Sequence, residues 1–288
     1  MKVRVGYGLG TQPIASPETR FPALVAALER EGFDSLWLSE RITSDALDPV
    51  VACTYAAACS ANLKLGFSVL VLPGRNVAVL AKELATLDVL SRGRLLPAFG
   101  LGIADEREQR AFGVGRGERA AMFDDALSTL RRLWDGEEVD GVAVRPRPAQ
   151  RPMDVWLGGR APSELRRVGR RADGWLPSFT TPADAVAGRA VIEQAAADAG
   201  RAIDPEHWGA LVPYARQELP AATVEALRRR RPDADPAEVV PVGVPAVRAL
   251  LERFVDVGFS KFVLVPVAEP TSWDDEVGEV AEVLSLQA

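Results

Sequence analysis

Lys64–Gly102 reads KLGFSVLVLPGRNVAVLAKELATLDVLSRGRLLPAFGLG, and its pattern decides the fold. Lys64 to Leu72 is a near-continuous apolar run, closed by Pro73-Gly74. Asn76 then offers a side-chain oxygen to cap a helix carrying Leu80, Leu84 and Leu87. Arg94 to Gly100 is a second run of the same kind. Such runs suit parallel strands covered on both faces. The stretch is therefore a strand, a covering helix and a second strand.

The same alternation extends in both directions. Upstream, Val3–Gly10 and Asp34–Ser39 read as strands. Between them Phe21, Leu24, Val25 and Leu28 fall at helical spacing, and Gly32 ends that helix. An Ala-rich helix runs from Asp48 or Pro49 to about Ala61. Downstream, strands are predicted at Asp154–Leu157, Gly174–Pro177, Trp208–Val212 and Lys261–Val265. Helices are predicted at Arg119–Trp134, Ser163–Arg171, Pro182–Ala199, Ala246–Val257 and near Asp275–Leu286. Eight strands alternating with helices, with no linker-like break, predict a single α/β domain over 1–288, a closed (β/α)8 TIM barrel. It carries an irregular insertion around 136–152 and a longer excursion around 213–245. An open doubly wound sheet is the alternative. It is weakened because Gly6, Gly8 and Gly10 lie inside the first strand and not in a turn that opens a helix, so they are no dinucleotide motif.

Composition narrows the function. The chain has 288 residues, 48% hydrophobic and 26% charged, with a formal net charge of −6, which argues against general affinity for nucleic acid or an anionic membrane. It shows no apolar run long enough to span a bilayer and no signal-peptide pattern at Met1–Gly10. Cys53 and Cys59 point in different directions on one helix and are read as free thiols of a cytoplasmic protein. His207 is the single histidine, which removes most zinc sites and every Ser-His or Cys-His triad that does not use it. It stands at the start of the seventh strand, on the stability face, and no metal site is expected. Trp156, Trp175 and Trp208 are assigned to barrel packing.

In a barrel, function gathers at the C-terminal ends of the strands. Here these read Leu36-Trp37-Leu38-Ser39-Glu40-Arg41, then Gly66-Phe67-Ser68-Val69-Leu70-Val71-Leu72-Pro73, Phe99-Gly100-Leu101-Gly102, and Trp156-Leu157-Gly158-Gly159-Arg160-Ala161. Gly158 and Gly159 lie between a strand and the helix beginning near Ser163. Backbone N–H groups at such a helix start form a phosphate cradle, and Arg160 can add a bidentate contact. A plain strand-to-helix turn is the other reading.

These motifs, in this order, together with Pro241-Val242-Gly243 and Phe262-Val263-Leu264, resemble the bacterial luciferase-like superfamily of flavin and deazaflavin oxidoreductases. The Gly-Tyr-Gly-Leu-Gly start and the Leu-Trp-Leu-Ser-Glu-Arg strand look most like its actinobacterial members that use coenzyme F420, and the preference for Arg over Lys fits a GC-rich genome. The resemblance implies a luciferase-like barrel. It places a bulge with a non-prolyl cis peptide at Ser68-Val69, against the back of a tricyclic ring, and sets Gly100 and Gly102 at the ring edge. It puts the cofactor phosphate over Gly158, Gly159, Arg160 and Ala161. Arg41 stands where relatives acting on alcohols or sugars carry a His. Arginine is no general base, so it would stabilise negative charge or orient a substrate carbonyl or carboxylate. Glu40 would be acid or base if burial raises its pKa, or the two would form a structural ion pair. The Arg228–Arg231 run is a solvated helix surface or a lid over an acidic cofactor tail.

Three functions follow. The first is hydride transfer between coenzyme F420 and an unknown small organic substrate. The second is an FMN-dependent two-component monooxygenase with a separate cofactor reductase. The third is a flavin-binding protein without turnover, which would bind cofactor but show no spectral change with substrate. Relatives often pair through outer helices, and the Ala-rich helix at Val51–Ala61 offers an apolar face for a homodimer.

Overall fold

The computed structural model describes residues 2–287, so Met1 and Ala288, the two ends of the expected 1–288 domain, lie outside the described residues. Its strands are β1 (Arg4–Gly8), β2 (Ser35–Leu38), β3 (Lys64–Phe67), β4 (Leu70–Val71), β5 (Leu95–Leu96), β6 (Ala98–Gly100), β7 (Trp156–Leu157), β8 (Gly174–Trp175), β9 (Gly209–Tyr214) and β10 (Lys261–Pro266). They pair in the orders β5-β3-β2-β1-β10-β9 and β4-β6-β7-β8, and every pairing is parallel.

Two staves are each split between the two sheets. The first breaks at Ser68-Val69, between β3 and β4, where the peptide bond is cis. The second breaks at Pro97, between β5 and β6, because proline has no N–H to give a ladder. These shared staves join the sheets on one side. On the other, parallel bridges Trp175↔Trp208 and Ser178↔Leu211 join β8 to the β9 stave. The result is a closed barrel of eight staves.

The barrel interior is filled by Trp37, Ala98, Trp156, Leu176, Val263 and Val265. The two indoles fit because facing residues lack side chains: a Cβ at Gly66 would overlap the Trp37 ring, and a Cβ at Gly174 would lie 2.5–2.7 Å from Trp156 ring atoms. The main core lies outside the barrel wall, under the helices, where Phe21, Leu24, Val25 and Leu28 are buried at the spacing that predicted them. Trp175 and Trp208 are also buried and stack edge-on at 6.4 Å.

Several boundaries differ from the sequence reading. Helix Glu106–Phe112 was not expected, and the 213–245 excursion carries helices Ala221–Arg230 and Pro236–Val239. The last helix is α over Trp273–Val280 and turns 3₁₀ over Ala281–Leu286. Residues 136–152 hold only the isolated bridge Val139↔Val142.

The N-terminal face of the barrel is tied by charge. Asp34 accepts from Lys64 Nζ at 2.9 Å and Lys261 Nζ at 3.0 Å. Burial alone would raise its pKa, but the two ammonium groups outweigh burial and bring it down to about 2. His207 sits on this same face, its Nδ1 3.0 Å from the Asp173 carbonyl and its Nε2 3.7 Å from Asp154.

Candidate active site

A pocket of about 560 Å³ opens at the C-terminal ends of the staves, a size suited to a cofactor or small substrate. Glu40, Arg41, Ser68, Val69, Gly100, Gly102, Gly158 and Gly159 all line it, drawn from four separate strand ends. Arg160 and Ala161 are not among its lining residues.

Val69 forms part of the floor. It packs on the barrel-interior cluster, and Gly100 lets it sit there, because a Cβ at residue 100 would overlap its Cγ2 methyl. The main chain around it is held from β2 and its continuation. Ser68 N donates to Leu38 O at 2.8 Å, Ser39 Oγ donates to Ser68 O at 2.8 Å, and Glu40 N donates to Val69 O at 3.1 Å.

Glu40 and Arg41 part company. The Glu40 carboxylate is buried, with 4% of the side chain exposed, and pairs with Arg75. It also accepts from Val71 N at 2.7 Å. Burial raises its pKa, helped by Asp48 and Glu108 and opposed by Arg75 and the Val71 N–H. The Glu40–Arg41 ion pair offered by the sequence reading therefore gives way to Glu40–Arg75. Arg41 is exposed, lines the pocket, and makes no salt bridge among the described residues. The nearby carboxylates are used elsewhere. Glu108 accepts from Thr43 N at 2.8 Å and from Thr43 Oγ1 at 2.5 Å, and Asp105 caps its helix at Arg107 N, 2.8 Å.

At the glycine turn a side chain of the chain itself takes the amides. Gly159 has φ +93°, and the next two amides are not open to a ligand. Arg160 N and Ala161 N both donate to Glu164 Oε2 at 2.9 Å, so the helix start at Pro162 is satisfied by its own third residue. Guanidinium groups stand nearby instead. Arg167 lines the pocket and pairs with Asp124 at 2.8 Å. Arg230 lines it too, its guanidinium 4.2 Å over the Phe179 ring. Burial, followed by the charge of Arg231, lowers the pKa of Arg160.

The arginine run is thus not one solvated surface. Arg231 is 2% exposed and bonds Asp184, Asp233 and the Phe179 carbonyl. Phe179 takes φ +53°, which is uncommon for a bulky residue.

Sequence reasoning missed Arg75, Glu108, Glu164, Phe179 and Arg167. Glu108 had a signal: Asp105 followed by Glu108 is the spacing of a capped helix start. The others carry none in sequence.

A closed parallel barrel with its pocket at the C-terminal strand ends defines the class of barrel enzymes. The chain belongs to the luciferase-like monooxygenase family, whose profile matches residues 3–243. It is 33% identical over 153 residues to a phthiodiolone/phenolphthiodiolone dimycocerosates ketoreductase of Mycobacterium tuberculosis, covering 49% of this chain and 40% of that protein. The protein of the same description from Mycobacterium sp. strain JLS is 30% identical over 238 residues, 69% of this chain and 62% of its own. The chain thus aligns with 40–62% of these relatives' length. Among solved structures, an F420-dependent secondary alcohol dehydrogenase, in complex with an F420-acetone adduct, superposes with TM-score 0.81 at 19% identity over 100% of both chains. The oxygenating constituent of 3,6-diketocamphane monooxygenase from Pseudomonas putida, in complex with FMN, gives 0.79 at 16% identity, over 100% of this chain and 98% of its own. At these identities the structures speak to the fold.

Proposed function

We propose that the chain transfers a hydride between coenzyme F420 and a small organic substrate carrying a carbonyl or carbinol carbon. The observation that carries this reading is the Val69 floor seated on Gly100, beside Arg41, which makes no salt bridge among the described residues. A flat ring fits that floor: Ser68, Val69, Gly100 and Gly102 would hold it. The phosphate end would lie at Gly158, Gly159, Arg160 and Ala161, with Arg167 and Arg230 supplying charge and Glu164 giving up its two amides. When bound, the coenzyme supplies a hydride-transferring ring. The protein's own part is to orient and to stabilise charge. Arg41 presents a permanent cation to a substrate oxygen or to developing negative charge. The apolar walls, Phe99, Leu157, Leu176 and Val265, keep water from the reacting face.

A second reading, an FMN-dependent monooxygenase served by a separate reductase, is supported by the family's name and by the neighbour solved with FMN. Stopped-flow reoxidation of reduced F420 against a panel of ketones, beside oxygen uptake with reduced FMN, separates the two. Ketone-dependent reoxidation supports the first; oxygen uptake with FMN alone supports the second, and neither leaves the non-catalytic binder.

Among the described residues no helix is long and apolar enough to cross a membrane. Free Cys53 and Cys59 suit a reducing cytoplasm. Val51 and Tyr55 on helix Pro49–Cys59 are 69% and 46% exposed and offer a face for a homodimer, which a monomer mass by light scattering would rule out.

A further inference from the structure

We infer that Glu40 is a positioning residue: with Arg75 it takes the place of the strand neighbour that Val71 lacks, and so fixes Val69 at the pocket floor. β4 pairs with β6 on one side, Leu70 with Phe99 and Val71 with Gly100. On its other side the natural partner would be a continuation of β2. That strand ends at Leu38, and the chain turns away after Arg41.

Backbone N–H and C=O groups left without partners in a buried wall are costly. Here both groups of Val71 are met by side chains. The Glu40 carboxylate accepts from Val71 N at 2.7 Å, where a strand would offer a carbonyl. Arg75 Nε donates to Val71 O at 2.7 Å, where a strand would offer an amide. The same two side chains pair with each other, which fixes their separation. Glu40 also reaches back along the chain, its own N–H donating to Val69 O at 3.1 Å. Main chain and side chain of one residue thus bracket Leu70, the residue that follows Val69, and hold the Val69 carbonyl.

This commits the carboxylate. One oxygen is on Val71 and the other on Arg75, and the side chain is 4% exposed, so neither faces a reactant. Arg75 is equally committed to Val71 O and Glu40. The pair acts on the site through Val69, not by moving a proton.

The inference rests on the reading of the pocket as a cofactor site, and its test separates the two. Hydrogen exchange at Leu70–Val71 is measured in the cofactor-free protein, for the parent, Glu40→Gln, Glu40→Ala and Arg75→Ala. Dissociation constants for F420 and FMN are taken on the same proteins. Glu40→Gln keeps an acceptor for Val71 N but loses the ion pair, and Arg75→Ala keeps the experiment decisive if Glu40→Ala does not fold. Expected is exchange at Val71 faster by about tenfold in Glu40→Ala, less in Glu40→Gln, with cofactor affinity falling in the same order and the pH dependence of turnover, measured on the same proteins, keeping the parent's shape. The inference is overturned by unchanged exchange and affinity with a lost pH limb in Glu40→Gln, which would make Glu40 an acid or base. Faster exchange with unchanged affinity also overturns it, since the floor would then be irrelevant to the ligand. If the parent binds neither cofactor, the functional reading fails, while exchange still shows whether the pair holds the strand.

Discussion

Gly100 makes the space that Val69 fills: any side chain at residue 100 would run into the Cγ2 methyl of Val69. The relationship can be tested by exchange of volume. Gly100→Ala should push Val69 toward the pocket and weaken cofactor binding at least tenfold, with a stability loss of about 1–3 kcal/mol from overpacking. Adding Val69→Ala should restore most of both. Calorimetric titration with the cofactor and urea midpoints check it; a double variant as weak as Gly100→Ala alone would show that the two positions are not coupled.

The Glu164 carboxylate occupies the amides of Arg160 and Ala161 that a phosphate would need. Glu164→Ala should therefore tighten FMN binding several-fold and leave riboflavin, which lacks the phosphate, unchanged. Loss of the cap should cost about 1 kcal/mol of stability. Equal effects on both ligands would place the phosphate elsewhere.

The eight strand–helix alternations and the strand-end residues were readable because apolar runs and caps are local signals. The two split staves were not. Pro97 and Ser68-Val69 break strands whose apolar pattern continues across the break, and only the closing of the barrel decides where each half pairs. Glu40 looked reactive because its partner, Arg75, lies 35 residues away. Ala161 hid the cap made by Glu164, since alanine at that position is not a capping residue and gives no motif.

Asp34 offers a stability prediction with a definite sign. Lys261 and Lys64 outweigh its burial and hold its carboxyl at about 2, below the ordinary 3.8, and its side chain is 9% exposed. A group with a depressed pKa stabilises the fold above its unfolded value and loses that contribution as pH falls. The contribution, on the order of 2 kcal/mol, should be whole near pH 7 and drain away between about pH 4 and pH 2. Asp34→Asn should lower the urea midpoint at pH 7 and much less near pH 2. An equal loss at both pH values would deny Asp34 its charge.

Arg41 lines the pocket at the β2 end, is exposed, and makes no salt bridge among the described residues. Arg41→Ala should slow single-turnover hydride transfer by roughly a hundredfold, the cost of one lost electrostatic contact to developing charge. Folding should be nearly unaffected, and Arg41→Lys should recover part of the rate. A rate within a few-fold of the parent would move the mechanism to another strand end.

A deazaflavin ring is proposed to rest on the Val69 floor of this pocket. The most direct test is a fluorescence titration of coenzyme F420 into the cofactor-free protein, with FMN beside it and Val69→Asp as the altered floor. Expected is saturable binding at one site per chain, tighter for F420 than for FMN, and lost in Val69→Asp while the thermal midpoint shows the protein still folded. Absence of saturable F420 binding in the parent, or binding that Val69→Asp leaves intact, would contradict it.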